Sequence, residues 1–124
     1  MDYVRSFRDL EVYKLARKAS KEIFELSKKF PKEEMNSLTN QVRRSSRSVG
    51  AQIAEAWAKR KYEKHFVSKL TDADGEQEET QHWIETALDC SYVSPETANL
   101  ILSYYSSIGK MLYSMMEKSA SFCK

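Results

Sequence analysis

LTNQVRRSSRSVGAQIAEAWAKRK, residues 38–61, repeats apolar or small side chains at Val42, Ser46, Val49, Ile53 and Ala56. Spacings of four, three, four and three make a heptad seam, the pattern of a helix packed along its length against other helices, and Trp57 continues it. Arg43, Arg44 and Arg47 crowd the opposite flank. At about 100° per residue, Ala51, Ala54 and Ala58 fall in the same arc as those arginines. Small side chains at spacings of three and four let another backbone approach closely. Ala51, Ala54 and Ala58, with Glu55 beside them, are therefore candidates for a subunit interface. The plainer reading is a solvated face that uses alanine for its helix propensity. Glu55 stands four residues before Lys59, the favourable order for a pair on one helix.

The same periodicity extends to both sides. Helix one is expected over about 7–30, with Leu10, Tyr13, Ala16, Ile23, Phe24 and Phe30 on one stripe and Pro31 as its stop. Helix two is expected over 38–60, with the hydroxyl of Ser37 or Thr39 as its N-cap. Helix three spans about 62–90, and Tyr62, Phe66, Leu70, Ala73, Ile84, Ala87 and Leu88 mark its buried side. Its polar middle carries Gly75, which costs about 1 kcal/mol relative to alanine, so a kink or break is possible there. Helix four opens at Ser94-Pro95-Glu96, a serine cap, a proline that pre-sets the first turn and a glutamate at the positive end of the dipole. It runs over about 95–122 with a seam of Ala98, Ile101, Tyr105, Ile108, Leu112 and Met115. Short connections make successive helices antiparallel neighbours. The fold class is all-α, an antiparallel up-down-up-down four-helix bundle forming one domain, with residues 1–6 as a loose N-terminal arm.

Composition agrees. Charged residues make up 31% of 124, with three glycines and two prolines, too few turn formers for a sheet-rich domain. No signal peptide or membrane-spanning run is evident, and Cys90 and Cys123 lack metal or redox spacing. Two ordinary thiols suit a reducing compartment, so a cytoplasmic location is expected. The net charge of +2 conceals a division: residues 1–70 carry 17 Lys/Arg against 9 Asp/Glu, residues 71–124 carry 3 against 9. Such polarity suits a polyanionic ligand, the acidic part of a second copy, or internal neutralisation.

Phe30-Pro31, Leu38-Thr39, Gln41, Arg43-Arg44, Ser48 and Ile53-Ala54-Glu55, with the opening Phe7-Arg8-Asp9-Leu10-Glu11-Val12-Tyr13, resemble a bacterial four-helix-bundle family encoded in intervening sequences of 23S rRNA genes. The family shows FP-x-E, then L-T-x-Q-x-R-R, S-I-x-x-N-I-A-E-G and later G-S-L-x-E. Gln52 replaces its asparagine and Ala56 its glycine, and the segment at Gly75 lacks the apolar residue of G-S-L. The resemblance implies a bundle assembling as a homopentamer, with a largely unassigned role. The related accessory proteins of diversity-generating retroelements are basic and pentameric and bind nucleic acid and a reverse transcriptase. By analogy, RNA or DNA and such a protein are implied partners.

Three classes of function suit these residues. The first is a non-enzymatic oligomer binding nucleic acid, with Arg43, Arg44, Arg47, Lys59, Arg60, Lys61 and Lys64 on phosphates. Tyr62 and Phe66 are able to stack on bases, but their seam positions favour the core. The second is a purely protein-binding or structural homo-oligomer whose arginines serve its own interfaces. The third is a di-iron enzyme, suggested by Glu79-Thr80-Gln81-His82. That chemistry needs a second E-x-x-H and two further inward glutamates, and Tyr62 stands where the other histidine, His65, would need its glutamate. No nucleophile–base arrangement has supporting context, so no catalytic residue, metal site or cofactor is assigned.

Overall fold

The computed structural model describes residues 4–123. Four long helices form the bundle: α1 (Glu11–Ser27), α2 (Leu38–Ala58), α3 (Glu63–Asp89) and α4 (Pro95–Glu117), followed by a single turn, α5 (Ser119–Phe122). Each long helix packs against its two neighbours, and α4 closes the ring against α1. No described residue lies in a strand, and no described helix is long and apolar enough to cross a membrane. The core holds the predicted seams, with Val42, Val49, Ile53, Phe66, Leu70, Ile84, Ile108 and Leu112 fully buried.

Both ends of α1 differ from expectation. A 3-10 turn at Phe7–Asp9 precedes it, capped by Ser6, whose hydroxyl accepts from the Arg8 N–H. The backbone N–H groups of Arg5 and Ser6 donate to the Asp9 carboxylate. Order therefore begins inside the segment expected to be a loose arm, of which residues 1–3 lie outside the described residues. At its other end α1 stops at Ser27, before Phe30, whose buried ring meets Tyr92 at 5.7 Å between centroids. Val12 and Ala19, absent from the predicted stripe, are buried.

The cap of α2 also differs. Ser37 occupies the N-cap position at φ −132°, ψ −107°, outside the extended geometry in which a serine hydroxyl caps, and makes no such bond. Glu34 acts instead: one carboxylate oxygen accepts from the Leu38 N–H at 3.3 Å and the other from the Tyr92 hydroxyl at 3.0 Å. This carboxylate ties the α1–α2 connection to the α3–α4 turn, and its hydrogen bond, aided by burial, pushes the Tyr92 phenol up to about 12.

Helix α3 runs unbroken through Gly75. The polar stretch is held by bonds along the helix: Gln77 donates to Asp74 at 2.9 Å, Gln81 to Gln77 at 2.7 Å, and the Thr80 hydroxyl to the Glu76 carbonyl at 2.8 Å. Counted from Gly75, the apolar position of the resembling family's G-S-L segment falls on Gln77. This residue is buried and approaches Gly109 of α4, where an added Cβ would stand 3.0 Å from its amide nitrogen. The hydroxyls of Thr39 and Tyr105 are buried without a partner among the described residues, and burial pushes the Tyr105 phenol upward.

The end of α3 supplies a prediction. Tyr92 N–H donates to Ala87 carbonyl and Ser91 N–H to Leu88 carbonyl, the two bonds of a Schellman motif. The motif requires the left-handed conformation at Ser91, which has φ 62°. A Cβ is penalised there and glycine is not. Ser91→Gly is expected to stabilise the fold by about 1 kcal/mol, read as a higher urea midpoint at unchanged slope. An unchanged or lower midpoint would contradict the strain assigned to Ser91.

Candidate nucleic-acid interface

The seven candidate cations do not form one patch. Arg43 turns toward α1: its Nε donates to Ser27 Oγ at 2.7 Å and its guanidinium lies 4.8 Å from the Phe24 ring centroid. Arg47, exposed, shares that ring at 5.4 Å. Arg44 turns the other way, onto α3, bonding Glu79 at 2.6 Å and Glu76 at 3.4 Å. Those bonds raise the Arg44 pKa, with Glu79 as the larger cause. A hydrogen bond from Trp83 Nε1 at 3.0 Å, with Arg44 assisting, holds the Glu79 carboxyl below its usual range. This accounts for the lone E-x-x-H: Glu79 is engaged by Arg44 and Trp83, and exposed His82 packs edgewise on Trp83. No group of His, Cys, Asp or Glu among the described residues could hold a metal.

The Glu55–Lys59 pair does not form. Glu55 instead takes Lys69 of α3 at 3.2 Å, because Lys69 Nζ also reaches Gln52 Oε1 at 3.3 Å and is fixed over that part of α2. Ala51 and Ala58 face solvent, whereas Ala54 is half-buried. Ala54 and Ala51 line a groove of about 330 Å³ between α1 and α2, with Ser20, Gly50, Arg17 and Arg47. A second groove, about 600 Å³ between α3 and α4, is acidic, lined by Asp74, Glu78 and Glu85 against Lys110.

The remaining cations lie together where α2 meets α3, Lys59, Arg60 and Lys61 in the tight turn and Lys64 in the first turn of α3. Lys59, Lys61 and Lys64 are exposed, and no carboxylate among the described residues pairs with them. Arg60 is fixed over Trp57, its guanidinium 3.6 Å from the ring centroid and its Nε donating to the Trp57 carbonyl at 2.9 Å. Glu63, the first residue of α3, accepts from the buried Ser119 hydroxyl at the start of α5. That contact draws its charge toward the chain's C-terminal end. Phe66 is fully buried, stacked on Phe122 at 5.9 Å, but Tyr62 is 57% exposed, contrary to the core position its spacing suggested. The reason is local. Tyr62 is the N-cap of α3 with φ −122°, ψ 106°, so the helical periodicity that buries Phe66 does not yet apply to it.

Four antiparallel helices with a basic turn at one end, a basic groove between α1 and α2 and an acidic groove between α3 and α4 define an all-helical four-helix-bundle protein. A family model, 23S rRNA-intervening sequence protein, matches residues 8–114, and the chain belongs to that family. A solved structure with the same fold is that of a protein with unknown function from the S23 ribosomal protein family of Bacteroides thetaiotaomicron. It is 28% identical over 86% of this chain and 95% of its own, with a TM-score of 0.78. No curated protein matches the chain.

Proposed function

We propose that the protein is a non-enzymatic binding protein that self-assembles and holds nucleic-acid phosphates at the α2–α3 turn. The observation that carries this reading is the set of exposed cations Lys59, Lys61 and Lys64, which pair with no carboxylate among the described residues, around the oriented Arg60. The N-cap residue Tyr62 makes no side-chain cap, so the helix dipole and the first N–H groups of α3 add to the attraction for an anion, with the Glu63 carboxylate of the same turn opposing it. The family's link to intervening sequences of 23S rRNA makes RNA the first ligand to try. Arg43 and Arg44 are engaged within the subunit and contribute less than their sequence position suggests.

A second reading, a purely structural homo-oligomer, draws support from the two grooves. The α1–α2 groove is basic and lined by small residues, and the α3–α4 groove is acidic. In a bundle these lie on opposite faces, which suits a head-to-tail contact that closes into a ring. The fivefold number is an implication of the family resemblance, as is a reverse-transcriptase-like partner.

Fluorescence anisotropy of protein of known oligomeric mass against RNA and duplex DNA, at low and physiological salt, separates the two. Affinity falling linearly in log salt is expected, the slope counting phosphate contacts. No binding at low salt would overturn the nucleic-acid reading and leave the structural one.

A further inference from the structure

We propose that the α2–α3 turn selects single-stranded nucleic acid, stacking an unpaired base on Tyr62 while Lys59, Lys61 and Lys64 hold the adjoining phosphates. This rests on the nucleic-acid reading above and adds the class of strand.

Tyr62 is a large aromatic side chain left outside the core at the tip of a turn. Its hydroxyl makes no hydrogen bond among the described residues, and its ring lies 5.5 Å from that of His65, tilted by 51°. Lys61 Nζ stands 5.8 Å from its centroid. Four residues on, Phe66 is fully buried, so the exposure belongs to position 62 and not to the face.

The residue type at that position also runs against local stability. Tyr62 is the N-cap of α3, where serine, threonine, aspartate or asparagine would satisfy a free N–H of the first turn, and it provides no such bond. A sequence that gives up a cap for an exposed ring, between Lys61 and Glu63, departs from local consistency in the way functional positions do. Arg60 of the same turn stacks on Trp57 in the last turn of α2, a second planar pair beside it.

Stacking on a tyrosine face requires a base free of its duplex neighbours. Bases in a duplex already stack on one another and offer only their edges in the grooves, whereas single strands present their faces to aromatic platforms. Lysines beside the ring supply charge that follows a backbone without reading sequence, so preference for strand type is expected with little preference for base.

The test uses one fluorescein-labelled, unstructured RNA strand, alone and annealed to its complement, with wild type, Tyr62→Ser and Tyr62→Phe. Tyr62→Ser is expected to lower single-strand affinity about 5- to 100-fold, with duplex affinity and salt slope unchanged, whereas Tyr62→Phe binds like wild type. Because serine restores a cap, the urea midpoint of Tyr62→Ser is expected to equal or exceed that of wild type, so lost affinity cannot be assigned to unfolding. Equal losses on both probes, or none on either, would overturn the stacking proposal and leave the phosphate-binding reading intact. Failure of wild type to bind either probe at low salt would overturn both.

Discussion

Converting Lys59, Lys61 and Lys64 together to glutamine is expected to lower RNA affinity about 30- to 100-fold at roughly 0.15 M salt and to flatten the log K against log salt slope by about two to three, one counterion-release term per lost contact. The fold should not suffer, since the three ammonium groups are exposed and pair with no carboxylate among the described residues. Arg44→Ala gives the contrast. It removes a cation whose guanidinium is already held by Glu76 and Glu79, and leaves both carboxylates on a partly exposed surface. Its RNA affinity is expected within about twofold of wild type, with a stability loss of under about 1 kcal/mol, as for surface pairs generally. An anisotropy titration across several salt concentrations reads both variants. A reversed result, in which Arg44→Ala abolishes binding and the triple-lysine variant binds normally, would move the site from the turn to the flank of α2.

That contrast shows where sequence reasoning reached its limit. The heptad seam of α2 is visible because Val42, Val49 and Ile53 recur with the helical period and nothing else satisfies that spacing. Ser94-Pro95 marks the start of α4 for an equally local reason, and the Ser94 hydroxyl accepts from Thr97 N–H at 3.1 Å. Partners on other helices leave no such trace. Arg43, Arg44 and Arg47 share a flank of α2, but α1 offers Phe24 and Ser27 on one side and α3 offers Glu76 and Glu79 on the other, so the stripe is divided between neighbours. Lys69 captures Glu55 ahead of Lys59 for the same reason. The exposure of Tyr62 was hidden by periodicity itself, which extrapolates a helical face one residue past the helix start. The departure from cap preference at that position was the available signal, because it needs only the knowledge that α3 begins at Glu63.

Thr80→Val is expected to cost about 1–3 kcal/mol, Ser45→Ala about 1 kcal/mol, and the double variant less than their sum, a coupling on the order of 1–2 kcal/mol. Ser45 on α2 and Thr80 on α3 are fully buried, with hydroxyl oxygens 2.8 Å apart. The Glu76 carbonyl lies 2.8 Å from the Thr80 hydroxyl, against 3.5 Å from Ser45 to the Val42 carbonyl, so the shorter contact assigns the Thr80 proton to Glu76 and makes Ser45 the donor between the two. The order Ser45 to Thr80 to carbonyl makes the single variants unequal. Valine at 80 keeps the shape but leaves the Ser45 hydroxyl only the Val42 carbonyl at 3.5 Å, at the limit of a hydrogen bond. Alanine at 45 leaves Thr80 its stronger bond. Removing both hydroxyls leaves no stranded donor, which is why the double variant recovers part of the loss. A slip of α2 against α3 by one turn would leave Thr80 its bond within α3 but the Ser45 hydroxyl only the distant Val42 carbonyl, so the pair favours the register that brings Arg44 to Glu76 and Glu79. Urea denaturation of the four proteins measures the cycle. Strict additivity, or a larger loss for Ser45→Ala than for Thr80→Val, would refute the assigned direction of the chain.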